Sequence, residues 1–320
     1  MIHNLPSVPT LGGARLLGIG AYRPPTVVTN DDLAQLVETS DDWVRQRTGI
    51  ATRRVSSDTV IEMGAIAGMR ALESADLDPD EVDLVLLASC SMPTPIPGGA
   101  ASVATSVGIR HAGAADVNAA CAGFCYALSW AADAIRSGSA RNVLVVASER
   151  LSYWVDWTDR TTCVIFGDGA GAVVVGTSGE ERIGPVVWGS DGALNWALAV
   201  SDEERQLRMD GPAVFRWATT DMVQVAKNAC ASAQIDVAEL AAFIPHQANL
   251  RIVDSLARKL GISADRVAHD VIEMGNTSSA SIPLALERLI SERRLESGDP
   301  VLLLGFGAGL TYAAQVVACP

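Results

Sequence analysis

The sequence predicts a mixed α/β fold built on a buried, mostly parallel sheet. Three observations predict it. Short apolar runs of strand length alternate with longer runs of helical periodicity along the whole chain. The chain has 320 residues, 49% hydrophobic and 19% charged, which gives ample material for a core and argues against disorder. Two glycine-rich turns correspond between the halves: Gly167-Asp168-Gly169-Ala170-Gly171 and Gly305-Phe306-Gly307-Ala308-Gly309, each ahead of a strand-like run. They mark a faint repeat of the half-chain rather than a short-period solenoid.

Residues 1–11 read as a ragged start. Strand-like runs are expected at 15–20, 82–88, 114–117, 142–147 and 172–176. Asn30 is expected to cap a helix beginning at Asp31, whose first turn carries two acids. Residues 60–75 have helical periodicity and are closed by Leu77-Asp78-Pro79, and 122–135 read as a helix. In the second half 186–189, 241–245, 301–304 and 311–317 read as strands, and 214–233, 250–260 and 282–291 as helices. The expected division is 1–176 and 177–320.

The chemistry starts at Cys121, in Asp116-Val117-Asn118-Ala119-Ala120-Cys121-Ala122-Gly123-Phe124, between a strand-like and a helix-like run. The first turn of a helix offers unpaired N–H groups and the positive end of the dipole, and both favour a thiolate. Small neighbours leave room for a substrate carbonyl. A lone cysteine there is more often a plain buried structural residue. Two later motifs decide between the readings. His246 stands in Phe243-Ile244-Pro245-His246-Gln247-Ala248-Asn249-Leu250-Arg251, at a strand-to-helix junction. Asn276 stands in Gly275-Asn276-Thr277-Ser278-Ser279-Ala280-Ser281, a tight polar loop before another helix. Cysteine, histidine and asparagine are the parts of a thiol-based acyl-transfer site. Gly167-Asp168-Gly169 looks like a nucleotide loop but lacks the Gly-x-Gly-x-x-Gly spacing that opens a helix.

A net charge of −13 argues against general binding to nucleic acid or an anionic membrane, and makes recognition of an acidic partner depend on a local basic patch. The six cysteines, Cys90, Cys121, Cys125, Cys163, Cys230 and Cys319, fit no zinc spacing, so no metal is expected. Residues 1–10 lack a basic segment followed by an apolar one, and no apolar run reaches the roughly 18 residues of a membrane span. Free thiols without an export signal lead us to expect a cytoplasmic protein.

Taken together, the motifs resemble the β-ketoacyl-acyl carrier protein synthase III family of thiolase-like condensing enzymes, including the priming synthases of polyketide pathways. The likeness extends from Gly18-Ile19-Gly20-Ala21-Tyr22-Arg23-Pro24 to Gly305-Phe306-Gly307-Ala308-Gly309. It also takes in Asp42-Trp43-Val44-Arg45-Gln46-Arg47-Thr48-Gly49-Ile50, Thr158-Asp159-Arg160 and Phe166-Gly167-Asp168-Gly169-Ala170-Gly171. The resemblance implies a five-layered α-β-α-β-α sandwich of two similar halves, the first carrying the cysteine and the second the histidine and asparagine, and a homodimer.

It further implies decarboxylative condensation of a short acyl-CoA with malonyl-acyl carrier protein. Acyl-CoA is a substrate, and no cofactor is needed. Cys121 would hold the acyl group, with the backbone N–H groups of Cys121 and Ala308 as oxyanion donors. Ala308 departs from the family's usual three glycines; its donor survives if φ stays negative. His246 and Asn276 would stabilise the enolate left by loss of CO₂. Trp43 and Arg160 match a pair that sandwiches adenine, Arg47 a phosphate contact, and Asn249 a contact to the pantetheine arm. Arg216, Arg251, Arg258 and Lys259 match a carrier-protein docking patch. Ile96, in Pro93-Thr94-Pro95-Ile96-Pro97, aligns with a residue that closes the acyl pocket across the dimer interface. As isoleucine is smaller than the phenylalanine of short-chain enzymes, it leads us to expect branched or longer starters. Three other readings compete. They are the same chemistry in a polyketide pathway, acyl transfer to an alcohol or amine, and a non-catalytic acyl-CoA-binding subunit. Presence of all three of Cys121, His246 and Asn276 argues against the last two.

Overall fold

The structure, a computed structural model, describes residues 12–201 and 205–320. The expected ragged start at 1–11 lies outside them. In chain order the first half runs β1 (Gly13–Tyr22), β2 (Thr26–Thr29), α1 (Asn30–Leu33), α2 (Asp41–Thr48), β3 (Thr52–Val55) and α3 (Val60–Ala75). It continues with β4 (Leu84–Ala88), α4 (Ala100–Val107), β5 (Gly113–Val117), α5 (Gly123–Arg136), β6 (Asn142–Arg150) and β7 (Asp168–Ser178). Then come β8 (Val187–Ser190), β9 (Leu198–Val200), β10 (Leu207–Met209), α6 (Gly211–Ser232) and β11 (Ala242–Pro245). The chain closes with α7 (Leu250–Leu260), α8 (Val271–Met274), α9 (Ser281–Ser291), β12 (Pro300–Gly307) and β13 (Thr311–Ala318).

Two sheets dominate, in the orders β1-β7-β6-β4-β5 and β8-β13-β12-β11. Four strands of the first, β1-β7-β6-β4, correspond in pairing to the four of the second, and β5 is an extra edge strand. β6 and β4 are parallel, as are β12 and β11, while β7 and β13 run antiparallel to both of their neighbours. The sheets are therefore mixed rather than mostly parallel. The physical reason is the connection. β12 reaches β13 through a tight turn, which only an antiparallel pair allows, and residues 151–167 between β6 and β7 hold no α-helix to carry the chain back for a parallel return.

Helices α5 and α9 lie between the sheets, α3 and α4 cover the far face of the first, and α6 and α7 cover the far face of the second. This makes the five layers. Strand β6 shows how the sequence builds them: Val143, Val145 and Ala147 enter the central core, while Leu144 and Val146 face α3 and α4. Both faces are buried, so the strand reads as a continuous apolar run.

The glycines expected in turns mostly lie inside strands. A Cβ on Gly305 would stand 2.9 Å from Ala122 Cα, and one on Gly171 2.8 Å from Pro283 Cβ. They are glycine because the central helices pack at backbone distance. Asp168 accepts from Ser56 N, Ser152 N and Ser152 Oγ, so it pins the start of β7 and belongs to no nucleotide loop.

Thr29, not Asn30, caps α1, in a capping box with Asp32. Asn30 is drawn inward because its Oδ1 accepts from the fully buried Arg53, 2.7 Å away. Arg53 also donates to the carbonyl of Val164, so β3 is tied to the segment that leads into β7.

Candidate active site

Cys121 sits in a single 3₁₀ turn, Ala120–Ala122, that feeds α5. Ala120 holds a φ of 46°, a left-handed conformation that non-glycine residues rarely adopt. Asn118 Oδ1 accepts its N–H, and Thr311 Oγ donates to the carbonyl of Ala119, so the bend is fixed from both sides. β12 passes directly against the sulfur: a Cβ on Gly307 would lie 2.9 Å from Sγ. The N–H groups of Ala308 and of Cys121 itself are placed to favour the charged form of the sulfur. Ala308 keeps a negative φ, and the left-handed value of the turn, 126°, falls on Gly309.

The resting thiol differs from the sequence expectation. Cys121 is only 5% exposed, and burial pushes its pKa up to about 12. Ser278 and the two amides favour the thiolate without offsetting that desolvation. The helix N-terminus is present, but the low dielectric around it wins.

His246 follows β11 and is anchored by its own N–H to Leu304 O at 2.7 Å. It is 2% exposed, and burial lowers its pKa to about 3, so the ring is neutral. Its Nδ1 lies 2.7 Å from Ser281 Oγ, which also accepts the N–H of Gln247. With the Ser281 hydroxyl donating to Nδ1, the ring proton stands on Nε2, the tautomer that offers a donor to the cavity. Asn276 is oriented by the same economy. Its Oδ1 accepts from Ser278 N at 2.8 Å, which leaves Nδ2 as the end offered to the cavity.

The structure brings Cys121, His246 and Asn276 onto the wall of one narrow cavity of about 80 Å³, with Phe306 and Gly307. Ile165, Met209, Phe215 and Asn249 line both this cavity and an outer cleft of about 1140 Å³. Trp43, Arg47, Arg160, Arg216 and Arg251 edge the cleft. The site is thus a blind end reached through an open, cation-rimmed mouth.

The chain as a whole is similar to known proteins. Residues 115–192 match 3-oxoacyl-[acyl-carrier-protein] synthase III, and residues 230–319 match the C-terminal region of that family. Over 313 residues the chain is 48% identical to β-ketoacyl-[acyl-carrier-protein] synthase III 4 of Streptomyces coelicolor, covering 96% of this chain and 99% of that protein. The chain belongs to the β-ketoacyl-acyl carrier protein synthase III family. Among solved structures, the priming β-ketosynthase of the R1128 polyketide pathway superposes with a TM-score of 0.96 at 43% identity, covering 100% of this chain and 99% of that one. The Aquifex aeolicus 3-oxoacyl-[acyl-carrier-protein] synthase III gives 0.93 at 40% identity, covering 96% and 100%. The thiolase-like fold and the condensing-acyltransferase class follow from this membership.

In this synthase III, Arg160 Cζ stands 4.6 Å from the Trp43 ring centroid and Arg47 Cζ 5.8 Å. Asn249 caps α7 through Arg251 N and donates to Arg47 O, so it joins α7 to α2 as well as facing the cavity. Arg216, Arg251 and Arg258 are exposed. Lys259 is exposed too, but its Nζ donates to Thr219 O, 2.5 Å away, and holds α7 to α6. Ile96 does not line the cavity of its own chain and is 85% exposed.

Sequence reasoning missed Ser281, Phe306, Leu198 and Met209. The last two come from the β9–β10 hairpin, whose three-residue strands carry too little periodicity to be seen. Among the described residues no group of three His, Cys, Asp or Glu side chains is placed to hold a metal, and no helix is long and apolar enough to cross a membrane.

Proposed function

We propose that this chain condenses a short acyl-CoA with malonyl-acyl carrier protein to initiate fatty-acid synthesis, without a cofactor. The observation that carries the reading is the convergence of Cys121, His246 and Asn276 on one blind cavity behind a cation-rimmed cleft. Cys121 Sγ attacks the thioester carbonyl, and the oxyanion forms against the N–H groups of Cys121 and Ala308. CoA leaves and malonyl-carrier protein takes its place. Loss of CO₂ generates an enolate, which accepts hydrogen bonds from His246 Nε2 and Asn276 Nδ2. Both donors are neutral, so they stabilise the enolate without quenching the carbanion. That carbanion attacks the acyl-Cys121 thioester and gives the β-ketoacyl product.

The outer cleft supports binding of CoA at Trp43, Arg47, Arg160 and Asn249, with adenine entering between the Trp43 ring and the Arg160 guanidinium. Exposed Arg216, Arg251 and Arg258, with Lys259 bracing α7, form a basic rim suited to an acidic carrier protein. The corresponding strand orders support two like halves, 1–176 and 177–320; the boundary falls two residues before the end of β7 at Ser178.

The exposed edge strand β5, with small side chains at Gly113, Ala114 and Ala115, supports a homodimer. In such a dimer, exposed Ile96 would close the partner's acyl pocket and leave space for branched or longer starters. The likeness to the R1128 priming synthase supports a second reading, the same reaction at the head of a polyketide pathway.

Intact-mass measurement after incubation with acetyl-, isobutyryl-, isovaleryl- and longer acyl-CoAs tests the reading. An adduct that disappears in Cys121→Ser establishes the acyl-enzyme and its starter. In His246→Ala and Asn276→Ala the adduct should persist while malonyl decarboxylation falls by about 10²-fold or more. Normal condensation by either variant refutes the assignment of roles.

A further inference from the structure

Behind the nucleophile lies a buried polar chain that the condensation as written does not use. Ser278 Oγ is 3.4 Å from Cys121 Sγ and 3.3 Å from Cys90 Sγ. Cys90 Sγ is in turn 3.4 Å from Glu149 Oε1. Glu149 is completely buried at the end of β6. Its carboxylate accepts from Ser91 Oγ at 2.5 Å, Ser279 Oγ at 2.6 Å, Ser89 Oγ at 3.2 Å and Cys90 N at 3.2 Å. Among the described residues no arginine, lysine or histidine pairs with it, so hydroxyls and a thiol surround it in place of a counter-ion. Ser278 is held at a φ of 49°, a left-handed conformation, and its hydroxyl lies between the two sulfurs.

A buried carboxylate without a cation is costly to keep charged. The same burial raises the Glu149 pKa above the ordinary carboxylate value, as it raises that of Cys121. His246, the other candidate acceptor, is a weak base in its site, with a pKa near 3. The thiol proton therefore has a continuous route leading away from His246.

We propose that Glu149, acting through Cys90 and Ser278, stores the Cys121 proton while the enzyme is acylated. This rests on the acyl-cysteine reading above. In the resting site the Ser278 hydroxyl donates to Cys121 Sγ; as Sγ attacks, that hydroxyl rotates to donate to Cys90 Sγ, the Cys121 proton passes to Ser278 Oγ, the Ser278 proton to Cys90 Sγ and the Cys90 proton to Glu149 Oε1. The departing CoA thiolate takes a proton from solvent. After condensation the Cys121 thiolate is expelled, the three transfers reverse, and the thiol and the Glu149 carboxylate are restored. Titratable groups facing Glu149 are Cys90 from the loop after β4 and, through Ser278, Cys121 at the head of α5.

The test is the rate of Cys121 carbamidomethylation by iodoacetamide between pH 6 and 10, read by site-resolved mass spectrometry. It needs no acyl-CoA, so it separates failure of the relay from failure of the proposed reaction. In Glu149→Gln the relay requires slower alkylation near neutral pH, by about 10²-fold, converging with the parent as hydroxide takes over. Simple removal of a neighbouring negative charge would instead lower the thiol pKa and speed alkylation, so an equal or faster rate overturns the proposal. Cys90 supplies the second comparison should Glu149→Gln not fold. Cys90→Ala should be slow, whereas Cys90→Ser, which keeps a donor and an acceptor in place, should recover most of the rate. Equal rates in those two variants overturn it as well.

Discussion

At Gly307 the active site has no slack. A methyl there would stand 2.6 Å from Cys121 Cβ and 2.9 Å from Sγ, so Gly307→Ala must displace either β12 or the nucleophile turn. A shift of about 1 Å at the reacting atom is expected to lower acyl loading by about 10²-fold, measured as the rate of adduct formation. Ala308→Gly, by contrast, should load within about threefold of the parent, because the proposed donor is the backbone N–H and its geometry does not need the methyl. Equal losses in both variants would remove the steric argument. The three side chains proposed to react were legible because Cys121 and His246 each stand shortly after a strand and Asn276 stands in a loop of small polar residues ahead of a helix. Ser281 and Glu149 were not. A serine in a run of small polar residues and an acid at a strand end read as ordinary surface until the fold buries them. The ionisation of Cys121 was misread for a related reason: sequence displays the helix start but not the burial that overrides it.

Elements of eight residues or more were legible where apolar periodicity ran their full length, as in α3, α5, α7 and β6. Strands β2, β3, β9 and β10, at three or four residues, carry no such signal. The direction of β7 and β13 was also hidden, because it depends on what connects the strands rather than on what composes them. Arg53 shows how one short element supports the site. From β3 it donates to Val28 O, Asn30 Oδ1 and Val164 O, and burial lowers its pKa to about 10 without discharging it at neutral pH. Next to Val164, Ile165 accepts the N–H of Asn276 at 2.9 Å. Arg53→Met should therefore cost about 2–3 kcal/mol in denaturant unfolding, through acceptors left unpaired in the interior. It should also lower malonyl decarboxylation more than acyl loading, since the Asn276 loop loses its support. A variant as stable as the parent would mean that these carbonyls find other donors.

Over the whole molecule, burial sets the pH response of His246. In the folded chain its pKa is about 3, against an ordinary value of 6.5, so the folded state excludes a proton that the unfolded state accepts. Stability linked to His246 is complete above about pH 6.5 and is lost as pH falls from there toward 3, at up to about 1.4 kcal/mol per pH unit. The buried carboxyls Glu149, Asp168 and Asp270 have raised pKa values and act in the opposite sense, gaining stability on acidification. Raw acid sensitivity of the parent is thus a sum of opposing terms, and the comparison with His246→Gln isolates one of them. From pH 7 to pH 5 the parent should lose about 2 kcal/mol more than the variant, read as denaturation midpoints at one protein concentration. Parallel losses would mean that the ring is solvated enough to protonate in place. That result would also undermine the enolate-binding role proposed for His246, because a cationic ring would protonate the carbanion that a neutral one stabilises.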